Sequence, residues 1–449
     1  MFASVGLRTG VIDKMQTERQ GRIMEYFHSV TLNKDKCLGC TNCITHCPTE
    51  AIRVQNGKAK IIKERCIDCG ECVRICQSHA KIVTTDGFEA LENYRWNIAL
   101  PAPSFYSQFE TDHSVNKILN GFIKIGFDDV YEVARGAEYV SQVTRELLSD
   151  DKLKKPVISS ACPVIIRLIR ERFPGLLDNI LPLISPMELA ARLAREEAVK
   201  KTGLKDEEIG VFFITPCPAK VTSIKSPLTI EKSNVSGAIA VKDAFAKIVP
   251  VIDKIDKEKI LAVSGFDGIF WARSGGECRG TGVEDYIAVD GIHNVIKVLE
   301  EIEYGKLNNV EFIELSACVN GCAGGALCIA NSFLASRRIA LQSKKAKDVK
   351  NTYDAREEDV RWEKEVTARQ HSKLDDDFMV ALKKMEQMDE ILSRLPKLDC
   401  GSCGSPSCKA FAEDIVRGFA EEKDCVFLLR EKLMSLDINV EDIMSSDNS

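Results

Sequence analysis

Cysteines at C-x2-C-x2-C-x3-C spacing occur twice near the amino end, as Cys37, Cys40, Cys43, Cys47 and as Cys66, Cys69, Cys72, Cys76. A third run, Cys400, Cys403, Cys408 and Cys425, lies near the carboxyl end. Between them stand single cysteines in "SSACPV" (Cys162) and "TPCPAK" (Cys217) and a pair in "ELSACVNGCAGGA" (Cys318, Cys322). Thiolates this close along a chain can grip metal through one tight loop, whereas disulfide partners are usually scattered. With 18 cysteines in 449 residues and no apolar leader of the secretory kind, metal binding in the cytoplasm is the expectation.

These groups have to be held by several domains, because a chain of this length exceeds one ordinary core. The formal net charge of −6 gives a nucleic-acid partner no electrostatic support. No apolar run approaches the roughly 20 residues that span a bilayer. Residues 1–29 read as an extension and 30–85 as a compact, internally repeated unit. From 92 to 340, apolar runs such as "RWNIALPAPS", "KPVISSACP", "EIGVFFITPCP", "ILAVSGFDGIF" and "VEFIELSACVNGC" alternate with helical segments. That alternation predicts parallel α/β layers, with ligands outside the carboxyl ends of strands, where the central cysteines fall. Residues 341–394 read as a charged helical linker. It ends in a stripe of Phe378, Leu382, Met385, Met388 and Leu392 at helical spacing. Residues 395–449 form a last small module.

The doubled spacing in 30–85 is similar to that of bacterial two-cluster ferredoxins, in which the fourth cysteine of each run ligates the other cluster. That resemblance assigns Cys37, Cys40, Cys43 and Cys76 to one 4Fe–4S cluster and Cys66, Cys69, Cys72 and Cys47 to a second. A zinc knuckle would use four ligands per tetrahedral site and need no crossover. Gln77 replaces the usual proline after the fourth cysteine. The "CGSCGSPSC" run resembles the small 4Fe–4S domain of electron-transfer subunits and corrinoid iron–sulfur proteins. It implies a third cluster on Cys400, Cys403, Cys408 and Cys425, with zinc as the rival.

In this order, after a two-cluster ferredoxin, the three central pieces resemble the signature loops of FeFe-hydrogenases, T-S-C-C-P, M-P-C-x-x-K and E-x-M-x-C-x-G-G-C. "APSF" from Ala102 matches the family's A-P-[SA]-V strand end. The resemblance implies an α/β multidomain protein: a bacterial-type ferredoxin, a two-lobed H-cluster domain and a small helical 4Fe–4S domain. It also implies that Cys162, Cys217, Cys318 and Cys322 hold a cubane. Cys322 would bridge to a di-iron unit carrying CO, cyanide and a dithiolate. Lys220 would bond one cyanide, and Ala102, Pro103 and Ser104 would cradle the other. Cys278, in a segment similar to the family's glycine-rich T-G-G-V-M-E stretch, and Cys328 are left as structural filler.

Four departures from the family bear on function. A proton-relaying cysteine precedes the first ligand in the catalytic family, and here that position is Ala161. The family's two helix glutamates align with Thr144 and Leu147, or with Glu146 after a one-residue slip. Two family methionines are replaced by Thr215 and Ser316. Asn320 stands for a glycine in the third loop. An intact ligand set without the relay resembles the sensory FeFe-hydrogenases, in the subgroup with a C-terminal 4Fe–4S domain and no PAS domain. The implied activity is slow, reversible conversion of H2 to protons and electrons. Its redox state would be read by a ferredoxin or other redox partner and by a kinase or phosphatase signalling protein, with a homodimer allowed. Two alternatives stay open. One is a ferredoxin-linked catalytic hydrogenase with another proton route; the other is a hydrogenase-like iron–sulfur protein without the di-iron unit.

Overall fold

A computed structural model describes residues 26–150, 152–369 and 374–435. Most of the 1–29 extension and the end of the last module, 436–449, lie outside the described residues.

The first unit pairs β1 (Val30–Leu32) with β4 (Lys81–Val83) and β2 (Ile52–Gln55) with β3 (Lys58–Ile61), all antiparallel. Its internal repeat extends to the backbone. Gly39 and Asp68, Thr41 and Gly70, and Glu50 and His79 take positive φ at matching positions of the two cassettes. Gly70 (φ 77°) is also a close-approach site. A Cβ there would lie 2.7 Å from the Ala326 methyl and 2.9 Å from Pro218, so the second cassette sits directly on the central domain. Ile67 and Cys69 belong to the same apolar cluster as Ile165, Leu168, Leu315 and Ala317.

The central region builds two parallel sheets. One runs in the order β6 (Asp129–Val130), β5 (Trp96–Pro101), β8 (Ile209–Thr215), β9 (Gly237–Ala240). The other runs β10 (Tyr286–Asp290), β11 (Phe312–Ser316), β7 (Val157–Ile158). β5 and β8 are buried along almost their whole length, as parallel strands covered on both faces must be. The carboxyl ends of β5 and β8 from one sheet and of β7 and β11 from the other carry the motif loops.

Two expectations differ from the structure. "ILAVSGFDGIF" is not a strand: Phe266–Phe270 is helical, and the stretch before it is anchored by side chains instead of a ladder. Leu261 N donates to Asn116 Oδ1, and Val263 N and Ser264 N donate to the Glu132 carboxylate. Among the described residues the linker is α-helical only at its ends, Ser332–Lys345 and Phe378–Arg394, with one 3-10 turn at Glu357–Asp359 between them. Between them the described residues of 346–369 strap across the central domain. Val360 is fully buried and its carbonyl accepts from Ile184 N. Trp362 Nε1 donates to Leu183 O at 2.7 Å, and Tyr353 Oη to Glu138 at 2.7 Å. Charge alternation disguised this, because the few apolar residues alone face inward. On the second helix Ile391 is buried, while Phe378, Leu382 and Met385 are exposed.

Trp362→Ala should cost about 2–3 kcal/mol, less than a fully buried tryptophan because the ring is half-buried, read as a shift in urea midpoint. A solvated linker would give less than about 0.5 kcal/mol.

Candidate metal centre

Each central cysteine sits where a strand gives way to a helix or turn. Cys162 and Cys217 occupy the residue before helices Pro163–Arg172 and Pro218–Lys225, each begun by a proline. Cys318 follows β11, and Cys322 lies in the tight turn Gly321–Gly324. All four line one cavity between the two sheets, about 980 Å3 of empty space including the part open to solvent. Ala102, Pro103, Ala161, Lys220 and Ser316 line it as well. Cys322 and Lys220 have accessible surface, and that surface is the cavity wall.

The donor set fits an iron–sulfur group. Burial pushes the Cys217 thiol up to about 12, with the charges of Cys318 and Cys162 adding to it. Cys322 is raised for the same reasons, by burial and then by Cys162, Cys318 and Cys217. Thiols that repel so strongly in a dry site are poor thiolates until a cation joins them. Burial holds the Lys220 ammonium below its usual range, while Cys322, Cys217, Cys162 and Glu188 pull it back up. Arg74, on the second cassette, donates to Cys318 Sγ at 3.4 Å and to Glu71 at 2.5 Å, placing a cation between two cysteine clusters.

Two residues expected at the pocket stand elsewhere. Thr215 Oγ1 turns onto its own loop, donating to Cys217 O (3.0 Å) and accepting from Cys217 N (3.1 Å), so it shapes the loop instead of facing the cavity. Ser104 is fully buried in the turn Pro103–Gln108, off the cavity wall, and its hydroxyl has no hydrogen-bond partner among the described residues. From the helix Val133–Ser149, only Val133 and Ala137 reach the cavity. Thr144 bonds back to Val140 O, and Glu146 faces solvent.

Two acids that the motif reading passed over do reach it. Glu277 and Glu314 both line the cavity. Ser159 Oγ donates to Glu277 at 2.5 Å, and Ala161 N donates to Ser159 Oγ at 3.2 Å. Glu314 accepts from Gly275 N (2.9 Å) and Cys278 N (3.0 Å). Burial and the Glu314 charge push Glu277 up to about 8, so the pair holds a proton at neutral pH. The signal was a glutamate inside the otherwise apolar strand "FIELS" and another beside Cys278. Cys278 packs fully buried behind them, and Cys328 Sγ lies 3.7 Å from Cys322 O.

The other cysteines also gather. Cys47, Cys66, Cys69 and Cys72 surround one cavity of about 360 Å3, the grouping that the crossover rule expects. Cys37 Sγ accepts from Ala59 N, and Cys47 and Cys76 accept from Ala51 N and Ala80 N at 3.2 Å each. Cys40 and Cys37 raise the Cys43 thiol, after burial and against Lys81. Cys400, Cys403, Cys408 and Cys425 enclose a cavity of about 310 Å3.

Comparison with known proteins agrees with this layout. The family described as iron only hydrogenase large subunit, C-terminal domain, matches residues 96–248 and 234–326, together just over half of the chain. A 4Fe–4S dicluster domain matches residues 29–77, and an Fe–S cluster domain matches 395–427. The chain is 24% identical over 226 residues to NADP-reducing hydrogenase subunit HndD of Solidesulfovibrio fructosivorans, covering 43% of this chain and 39% of that one. It is 25% identical over 368 residues to the periplasmic [Fe] hydrogenase large subunit of Nitratidesulfovibrio vulgaris, covering 66% and 86%. It is 23% identical over 207 residues to the cytosolic Fe–S cluster assembly factor nar1 of Aspergillus clavatus, covering 40% and 34%. Among the described residues, no helix is long and apolar enough to cross a membrane.

Two outcomes are expected. A carboxyl with a raised folded pKa adds stability below its unfolded pKa of about 4.3 and loses it as pH rises towards 8. Glu277→Gln should therefore flatten the fall of Tm between pH 5 and 8 and raise Tm at the alkaline end; an unchanged slope refutes the buried-proton assignment. Arg74→Gln, which removes a donor to Cys318 Sγ, should lower the midpoint potential of an iron–sulfur cluster reconstituted at the central cysteines, followed by EPR-monitored redox titration.

Proposed function

Since the chain belongs to the family of iron-only hydrogenase large subunits, C-terminal domain, we propose that it binds H2 at the central cavity and interconverts it slowly with protons and electrons, as a sensor. The observation that carries this is a complete set of four convergent thiols with Ala161 beside it and no carboxylate from the helix Val133–Ser149 on the cavity wall. A methyl neither gives nor takes a proton, and losing a positioned proton-transfer group costs ~10² to 10⁴ in rate.

In this reading Cys162, Cys217, Cys318 and Cys322 would hold a cubane linked, on the Cys322 side, to a di-iron unit with CO, cyanide and dithiolate ligands, and that group would supply the redox chemistry on H2. The protein supplies the rest. The Lys220 ammonium suits an anionic ligand, as a charge-assisted donor does. Ala102 and Pro103 shape one wall, and the Ser316 hydroxyl is available to a polar ligand. The apolar side chains of Met187, Phe213 and Leu315 keep the cavity dry, strengthening every electrostatic contact inside it. Clusters held by the ferredoxin-type cysteines would carry electrons onward from the cavity, and a redox, kinase or phosphatase partner would read the resulting state.

A second reading, turnover through another proton route, is favoured by the Glu277–Ser159 contact beside the Ala161 loop. A third, an iron–sulfur protein without the di-iron unit, is favoured by the likeness to the nar1 assembly factor.

Infrared spectra of protein matured with the di-iron cofactor separate these. CO and cyanide stretching bands that change between argon and H2 are expected, and their absence removes both hydrogenase readings. Ala161→Cys should raise H2 turnover by about 10²-fold or more. If it leaves turnover unchanged while Glu277→Gln abolishes it, the second reading replaces the first.

A further inference from the structure

The C-terminal module does not hang from the end of the chain. It is docked on the ferredoxin-type domain through a buried seam. Arg53 and Asp414 form an ion pair, with side chains only 5% and 6% exposed, and Ser405 Oγ donates to the same carboxylate at 2.6 Å. Arg65 and Glu413 pair at 2.5 Å, Ser407 Oγ donates to Glu50 at 2.9 Å, and Gln55 Nε2 donates to Phe419 O at 2.9 Å. Backbone meets backbone as well: Val54 N donates to Gly404 O at 2.8 Å. Gly404 has φ 87°, and a Cβ there would overlap the Val54 carbonyl, so the cysteine loop approaches as closely as a chain can.

The seam lies at one particular end of the ferredoxin-type domain. A Cβ on Gly401 would stand 3.2 Å from Ile44 and 3.3 Å from Thr45, in the helix Asn42–Thr45 that carries Cys43. Cys403 itself lines a cleft with Arg53, Val54 and Gln55. The opposite end of the same domain faces the central cavity, where Gly70 packs on Pro218 and Ala326 and Arg74 reaches Cys318. The second cassette is thus the inner neighbour of the central site, while the C-terminal site sits on the first cassette at Ile44 and Thr45 and reaches the second only at Arg65, before its first cysteine.

From this placement we infer that the C-terminal cysteine site is wired in series, as the outermost station of one electron path. The path runs from the central site through the second and then the first cassette. The last step is a one-electron transfer with no proton: the first-cassette cluster is oxidised and the Cys400–Cys425 cluster is reduced. The electron comes from H2 or, in a test, from dithionite. The seam is what holds the two sites in exchange distance, and Arg53, Asp414 and Glu413 are its positioning residues. The inference rests on the cluster assignments of the proposed function but not on the di-iron unit, so it is testable in protein carrying cubanes alone.

The test is EPR of the dithionite-reduced full chain, loaded with 4Fe–4S clusters without the di-iron cofactor. Wild-type protein should show spin–spin broadening of the C-terminal signal by the first-cassette cluster. Two variants act on the seam from opposite sides, Arg53→Met by leaving Asp414 unpaired and Glu413→Arg by setting two arginines together. With iron content per chain unchanged, either should remove that broadening and raise hydrogen exchange of Val54. Glu413→Gln, which gives up the ion pair but sets no like charges together and keeps a polar contact with Arg65, should retain most of it. A magnetically isolated C-terminal signal in the wild type overturns the inference. So does broadening that persists in a variant whose Val54 amide has become exchangeable. Missing CO and cyanide bands, by contrast, would leave it standing.

Discussion

Four thiolates that must share a dry cavity are the constraint on which the central domain depends. Left alone they repel, and burial together with that repulsion raises the Cys217 and Cys322 thiols above their usual range. No single strand end could bring them together. Two sheets are turned so that the carboxyl ends of β5, β7, β8 and β11 face one another, and each end contributes a short loop fixed by proline or glycine. The surrounding apolar clusters tie those loops to both sheets, leaving little freedom for the ligand set to relax. A cation then satisfies charge, coordination and packing together.

The same constraint explains why positive side chains are few but well placed around it. Lys220 faces three of the thiols from within the cavity, and Arg74 meets Cys318 from the neighbouring domain. Each is desolvated, and each is held by the anions it serves. Glu277 is the counterpart in the other sense. Burial and the nearness of Glu314 raise its pKa, so the two acids hold a proton between them and the cavity wall carries one negative charge fewer.

Motif spacing made the gathering of the cysteines legible because loop geometry is local: a C-x2-C turn has few ways to fold other than with its thiols converging. The grouping of Cys47 with Cys66, Cys69 and Cys72 was legible for the same reason, since it follows from the cassette's own repeat. What escaped the sequence depended on packing between distant segments. Thr215 reads as a pocket hydroxyl, but its loop needed it as a turn former. Ser104 lies one residue beyond the wall that Ala102 and Pro103 form. The strap through Val360 and Trp362 looked like solvent-facing chain because its inward residues are few and separated by charges. The acids at 277 and 314 needed the third dimension, for only the fold brings a helix start and a strand centre to one cavity.

The seam between the two ends of the chain has a consequence for biosynthesis. Arg53 and Asp414 are 361 positions apart, so their contact closes a loop that contains nearly the whole protein. Contacts of such separation form late, after the entropy of closing the loop has been met by folding of everything between. The first cassette is synthesised early and waits with one flank uncovered until the last module arrives. Cluster insertion there has the whole of translation in which to occur, and docking of the final module afterwards covers that flank. The order of synthesis thus leaves that flank of the first cassette open until the C-terminal module docks.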